Sequence, residues 1–167
     1  CPKPKESYAE TFLVRVDKNS GLRARYVPDD LVVLDKVRTI KKICLRKEAA
    51  LALEGMFKSA EKAGIFLGAT SGFRDVKLQE SLFNYWNRIE GRRALDFVAQ
   101  PGHSEHQLGT TVDLSGRSIN YRGVDPGFGL TQEGIWLREN AQKHGFVMSY
   151  PVGKKEISGY GYEPWHF

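Results

Sequence analysis

From residue 46 to residue 63 the apolar side chains Ala49, Ala50, Leu53, Met56, Phe57 and Ala60 recur three and four positions apart among charged ones. That period gives a helix one apolar side, and Gly64 behind it can adopt the left-handed closing conformation. A helix from Arg46 to Ala63 is therefore predicted, with Met56 and Phe57 as core. Leu82, Phe83, Trp86 and Ile89 predict a second helix from Val76 to Ile89, on one side and ending before Gly91. Thr131 is an N-cap candidate for a third, Gln132 to His144, with Ile135, Trp136 and Ala141 inward and Gly145 closing it. Apolar or alternating runs predict strands at Ile65–Thr70, Thr111–Leu114, Phe146–Tyr150 and Gly159–Phe167. Phe12–Val16 and Leu22–Val27, separated by Asp17-Lys18-Asn19-Ser20-Gly21, read as a hairpin whose glycine takes a positive φ. Residues 1–10 read as an extended arm, Gly116 to Gly129 as a loop, Pro151 to Lys154 as a turn, and Lys36 to Lys42 as a solvated basic stretch. The mixture predicts an α+β class: a mainly antiparallel sheet with about three helices packed around it.

With 167 residues, one domain spanning the chain is expected, large enough for a substantial core. No apolar run approaches the ~20 residues that span a bilayer, so no transmembrane segment is expected. A net charge of +5 favours anionic surroundings, and nucleic acid and bacterial wall polymers both qualify. No recognisable nucleic-acid module accompanies the charge, and nucleic acid is not expected as a partner. Cys1 and Cys44 are too few for a disulfide framework. Three readings stay open: a single bridge in an exported protein, a lipid anchor on Cys1, or a first residue without chemical significance.

The chemistry concentrates in Ser104-x-His106-x-x-Gly109-x-Thr111-x-Asp113 and, far downstream, Glu163-x-x-His166. Imidazole nitrogen and carboxylate oxygen suit zinc, and a catalytic zinc site uses three protein ligands with a fourth position for water. His106, Asp113 and His166 supply that set, though the ligand types alone tolerate other divalent ions. On a straight strand Glu163 and His166 would face opposite ways, so a bend near Pro164 is required if both serve one metal. His103 and His144 read as structural histidines.

These motifs resemble the zinc D-alanyl-D-alanine carboxypeptidases of the VanY type and their L,D-carboxypeptidase relatives. Ser71-Gly72-Phe73-Arg74 with Gln79, Glu139-Asn140-Ala141 to His144-Gly145-Phe146, and Gly161-Tyr162-Glu163-Pro164-Trp165-His166-Phe167 extend the resemblance over most of the chain. It implies a D,D-peptidase-like (Hedgehog-like) fold, one Zn2+ ion on His106, Asp113 and His166, and a monomer in the bacterial envelope that removes a C-terminal D-alanine from peptidoglycan stem peptides. Glu163 is then the general base, with a fourth ligand or an orienter of His166 as alternatives. Arg74 would stabilise the tetrahedral oxyanion; by itself it reads as an ion-pair partner, for instance of Asp75. Ser104 would hold the substrate's terminal carboxylate and Gln79 would line the pocket, against a loop or cap bond for Ser104 and an exposed helix position for Gln79. Trp165 walls the site or belongs to the core. An endopeptidase or dipeptidase of the same fold, or a silent zinc-stabilised wall-binding module, stays open. Thr111 stands where relatives commonly carry alanine and Ser149 where arginine is expected; neither is expected to touch a metal ligand.

Overall fold

The computed structural model describes residues 1–3 and 14–167. Its centre is the long predicted helix, α1 (Lys47–Lys62), which turns Ala50, Leu53, Met56 and Ala60 inward. The C-cap Ala63 bonds back to the last turn, and Gly64 follows with φ +76°. Before α1, β1 (Leu31–Val33) pairs antiparallel with β2 (Cys44–Arg46). After it, β3 (Leu67–Ser71) pairs antiparallel with β4 (Asp113–Gly116), and a register shift between Ala69 and Ser71 sets Ser71 opposite Asp113. The side chains of α1 meet Leu45, Leu114, Phe128, Leu137 and Trp165 in one core. Fully burying each leucine there contributes roughly 1.5–3 kcal/mol.

The remaining helices are α2 (Val76–Glu90), α3 (Gln132–Asn140) and the single turn α4 (Lys155–Ser158). Asp75 caps α2 by accepting from the Leu78 N–H, and the Thr131 hydroxyl accepts from the Gly134 N–H, as predicted for α3. The third helix is regular only to Asn140; its last four residues tighten into a 3-10 turn before Gly145 at φ +82°. Leu137 rather than Ile135 faces the core there.

Among the described residues the predicted hairpin and two further predicted strands do not form. Val14–Val16 and residues 22–27 form no hairpin, and Phe12 lies outside the described residues, as does most of the predicted arm. The turn between them does form: the Asp17 carboxylate accepts from the Asn19 and Ser20 N–H groups, so Gly21 needs no positive φ. The following segment finds its partners on the metal-motif loop instead. Leu22 N–H bonds to Gly102 O, and the Gln107 amide donates to the carbonyls of Arg23 and Tyr26. Residues 146–150 and 159–167 are likewise not strands. The last residues still join the sheet, because Val112 N–H bonds to Phe167 O and Leu114 N–H to Trp165 O. Only an isolated bridge between Asp113 and His166 results, since the chain turns sharply at Pro164 and Trp165 just before it.

Cys1 and Cys44 form a disulfide with Cα atoms 5.8 Å apart. This is the single bridge that the sequence left open.

Candidate metal centre and its cleft

Three segments distant in sequence deliver three side chains to one point. Asp113 begins β4, opposite the bulge in β3. His106 sits in a 3-10 turn, residues 105–108, that Gly109 closes at φ +76°. His166 follows the turn in which its own N–H bonds to Glu163 O. That turn is the bend the sequence required, and it brings His166 Nδ1 within 3.5 Å of Glu163 Oε2. Gly72 permits the assembly, since a Cβ there would lie 2.6 Å from Ile43 Cγ2 and 2.7 Å from Cys44 O.

The hydrogen bonds fix which nitrogen of each imidazole is free. Gly72 O can only accept, so His106 Nδ1, 2.8 Å away, carries a proton. Burial and the Arg74 guanidinium push His106 down to about 4, so the ring is neutral at pH 7 and Nε2 presents a lone pair. That lone pair faces Asp113 Oδ1 at 3.2 Å, acceptor against acceptor, and both atoms are buried without a hydrogen-bond partner. A cation between them resolves the conflict. His166 Nε2 lies 2.9 Å from Glu105 Oε2, which leaves Nδ1 toward Asp113 Oδ1 at 3.4 Å. Burial opposes charging His166, but the facing carboxylates of Asp113 and Glu105 prevail and raise it to about 9. The carboxylates that favour a proton on Nδ1 favour a metal ion there equally, because both occupy the same lone pair. For Asp113 burial acts upward, yet the two histidines and Arg74 hold it well below its ordinary 3.8. One ligand atom from each of His106, Asp113 and His166 lies within 4.8 Å of the others. The donor set fits a divalent ion such as zinc.

Glu163 is 7% exposed, and burial together with the Asp113 and Glu105 charges raises it to about 7 against the opposing pull of His166 and Arg74. A dication beside it would draw it back down. Arg74 is held on three sides: Nη2 donates to Asp113 Oδ2 at 2.9 Å, Nη1 to Gln79 Oε1 at 3.2 Å, and Nε to Ser71 Oγ at 3.1 Å. Its ion-pair partner is thus Asp113, and Asp75 serves the helix cap. Gln79 is buried and donates to Ala99 O at 2.8 Å, so its amide holds Arg74 in place instead of standing exposed on the helix. Ser104 is buried, precedes the 105–108 turn without a side-chain capping bond, and lines the cleft. Trp165 belongs to both of its predicted settings, packing in the core and bordering the cleft. The cleft measures about 630 Å³, and the apolar stripe of α2 forms one of its walls through Leu82 and Trp86; Ile89 points to solvent. His103 and His144 lie elsewhere, His103 bonded to Asp17 O and His144 stacked on Trp136.

Sequence reasoning missed Glu105, and it misjudged Ser149. Ser149 donates through its hydroxyl to Glu105 Oε2 at 2.7 Å and through its N–H to His166 O at 3.2 Å. It therefore touches His166, one of the expected ligands, contrary to expectation. The only signal in the sequence was a carboxylate adjoining His106; nothing in the spacing ties residue 105 to residue 166.

Comparison with known proteins bears on the same site. Residues 42–167 match the family model VanY, D-alanyl-D-alanine carboxypeptidase. YodJ of Bacillus subtilis (strain 168) is 42% identical over 162 residues, 94% of this chain and 59% of YodJ. The chain thus spans about three-fifths of that relative's length. The solved LdcB LD-carboxypeptidase superposes with a TM-score of 0.84 at 43% identity, covering 90% of this chain and 72% of that one. A single-residue variant of the vancomycin-resistance D,D-pentapeptidase VanY, solved in complex with Zn(II), gives 0.73 at 27% identity, covering 92% and 85%.

Proposed function

Since the chain belongs to the VanY family of D-alanyl-D-alanine carboxypeptidases, we propose that it is a zinc metallo-carboxypeptidase of the bacterial cell envelope that removes a C-terminal D-alanine from peptidoglycan stem peptides. The observation that carries this is the pair of opposed, unpartnered buried acceptors, His106 Nε2 and Asp113 Oδ1, with Glu163 and Arg74 at the same cleft. His106, Asp113 and His166 hold the ion, which when bound supplies Lewis acidity toward water and the scissile carbonyl. Glu163 takes the proton of the attacking water and returns it to the leaving amine. Arg74 uses three of its five N–H groups on Asp113, Gln79 and Ser71, and the N–H left on each Nη serves the oxyanion. Ser104, with no side-chain bond among the described residues, is free to donate to the substrate's terminal carboxylate; Gln79 acts by aiming Arg74, and Trp165 walls the cleft. The whole chain works as one domain and as a monomer. The greater likeness to LdcB favours the L,D bond of a tetrapeptide stem.

Mass spectrometry of tripeptide, tetrapeptide and pentapeptide stems incubated with the protein, with and without a chelator, tests the proposal. Tetrapeptide should lose one D-alanine, and the chelator should stop it. Shortening of the pentapeptide alone moves the specificity to the D,D bond. Intact stems beside a zinc-loaded protein would sink the carboxypeptidase reading in favour of a silent wall-binding module.

A further inference from the structure

His166 Nε2 and the carboxylate of Glu105 are 2.9 Å apart, although 61 residues separate them. Glu105 is three-quarters shielded from solvent, with its side chain 27% exposed, and the same Oε2 accepts from the Ser149 hydroxyl. Ser149 also grips the far end of the pair through its N–H to His166 O. Glu105, Ser149 and His166 thus close a small ring that fixes both the backbone and the imidazole of the last ligand. Tyr150 covers that imidazole, its ring centroid 4.6 Å away.

We propose that Glu105, held by Ser149, is the positioning residue of the metal centre: it keeps the His166 proton on Nε2 so that Nδ1 faces the ion. An imidazole ligand is oriented and made more basic by a carboxylate on its other nitrogen. Neutral imidazole has one N–H, so an acceptor at Nε2 selects the tautomer whose free lone pair is on Nδ1. The 3-10 turn that presents His106 as a ligand presents its neighbour Glu105 to His166, so one short segment serves two ligands. Without Glu105 the ring could flip or exchange tautomers, and the Asp113 side of the site would stand with one firmly held histidine.

This rests on the zinc reading above, and the test separates the two. Zinc affinity of the full chain is measured by competition with a chromophoric chelator, for wild type, E105A, E105Q and S149A, with circular dichroism to follow folding. E105A should bind zinc about 10- to 100-fold more weakly. E105Q, whose amide oxygen still accepts from Nε2–H, should recover most of that loss, and S149A should weaken binding about 5-fold. In the zinc-loaded wild type, long-range 15N–1H NMR should show His166 protonated at Nε2. Unchanged affinity in a folded E105A, no recovery in E105Q, or a proton on Nδ1 overturns the proposal alone; if E105A does not fold, E105Q and the NMR tautomer decide. A wild-type chain that takes no zinc overturns the zinc reading and this proposal with it.

Discussion

His106 and His166 face the same carboxylate from opposite supports. The Nδ1 of His106 is anchored by a backbone carbonyl, Gly72 O, in a place that forbids a Cβ. His166 leans on a side chain, Glu105, which is itself held by another side chain, Ser149. Burial and Arg74 keep the first neutral, while acidic neighbours draw the second toward positive charge. The difference teaches that one half of the site is built into the chain's path and the other into residue choice. Substitutions around His106 should disturb the fold, and those around His166 should disturb chemistry while the fold survives.

Glu163→Gln tests the His166 half most severely. Turnover measured by D-alanine release should fall ~10²- to 10⁴-fold, with zinc stoichiometry and melting temperature unchanged; an active variant would remove Glu163 from the role of base. Gly72→Ala tests the other half. Because the added methyl meets Ile43 and the Cys44 carbonyl, urea unfolding should show a loss of about 1–3 kcal/mol, accompanied by weaker zinc binding as Gly72 O shifts away from His106. A variant that keeps its stability while losing zinc would break the contrast between the halves.

The smallest effect lies at the opposite end of β4 from Asp113. Glu133 lies against Gly116 and accepts from the Ser118 N–H at 2.9 Å. Burial tends to raise this carboxyl, but that bond and its neighbours lower it below the ordinary 4.5. A depressed folded pKa means stability present above 4.5 and lost as the pH falls through the folded value. Wild type should therefore exceed Glu133→Gln by about 1 kcal/mol at pH 7, and the gap should close in acid. A gap that widens there would reverse the sign and exclude the Ser118 bond as its source.

Some of this was legible along the chain. The spacing of Leu53, Met56 and Ala60 codes α1 because a helix repeats locally, and Thr131 caps its helix for an equally local reason, whereas the Asp75 cap was read as an ion-pair partner instead. The three expected ligands were recognisable because they fall in two motifs, one holding His106 and Asp113 and the other His166. Strand predictions failed at residues 146–150 and 159–167, where apolar residues suggest a ladder but the backbone bonds go to turns and to scattered partners. Leu82 and Trp86 of the predicted α2 stripe line the cleft while Ile89 turns to solvent, because which part of a stripe is covered depends on what lies opposite.

By itself, then, the sequence determined the three longer helices, the Thr131 cap and the donor types that His106, Asp113, Glu163 and His166 offer, because periodicity and donor type are properties of neighbouring residues. Tertiary structure decided which nitrogen of each imidazole is free, that Arg74 pairs with Asp113, and that Glu105 and Ser149 serve His166. Those outcomes depend on hydrogen-bond distances between segments far apart in sequence, and only packing of the core around α1 brings such segments within 3 Å of one another.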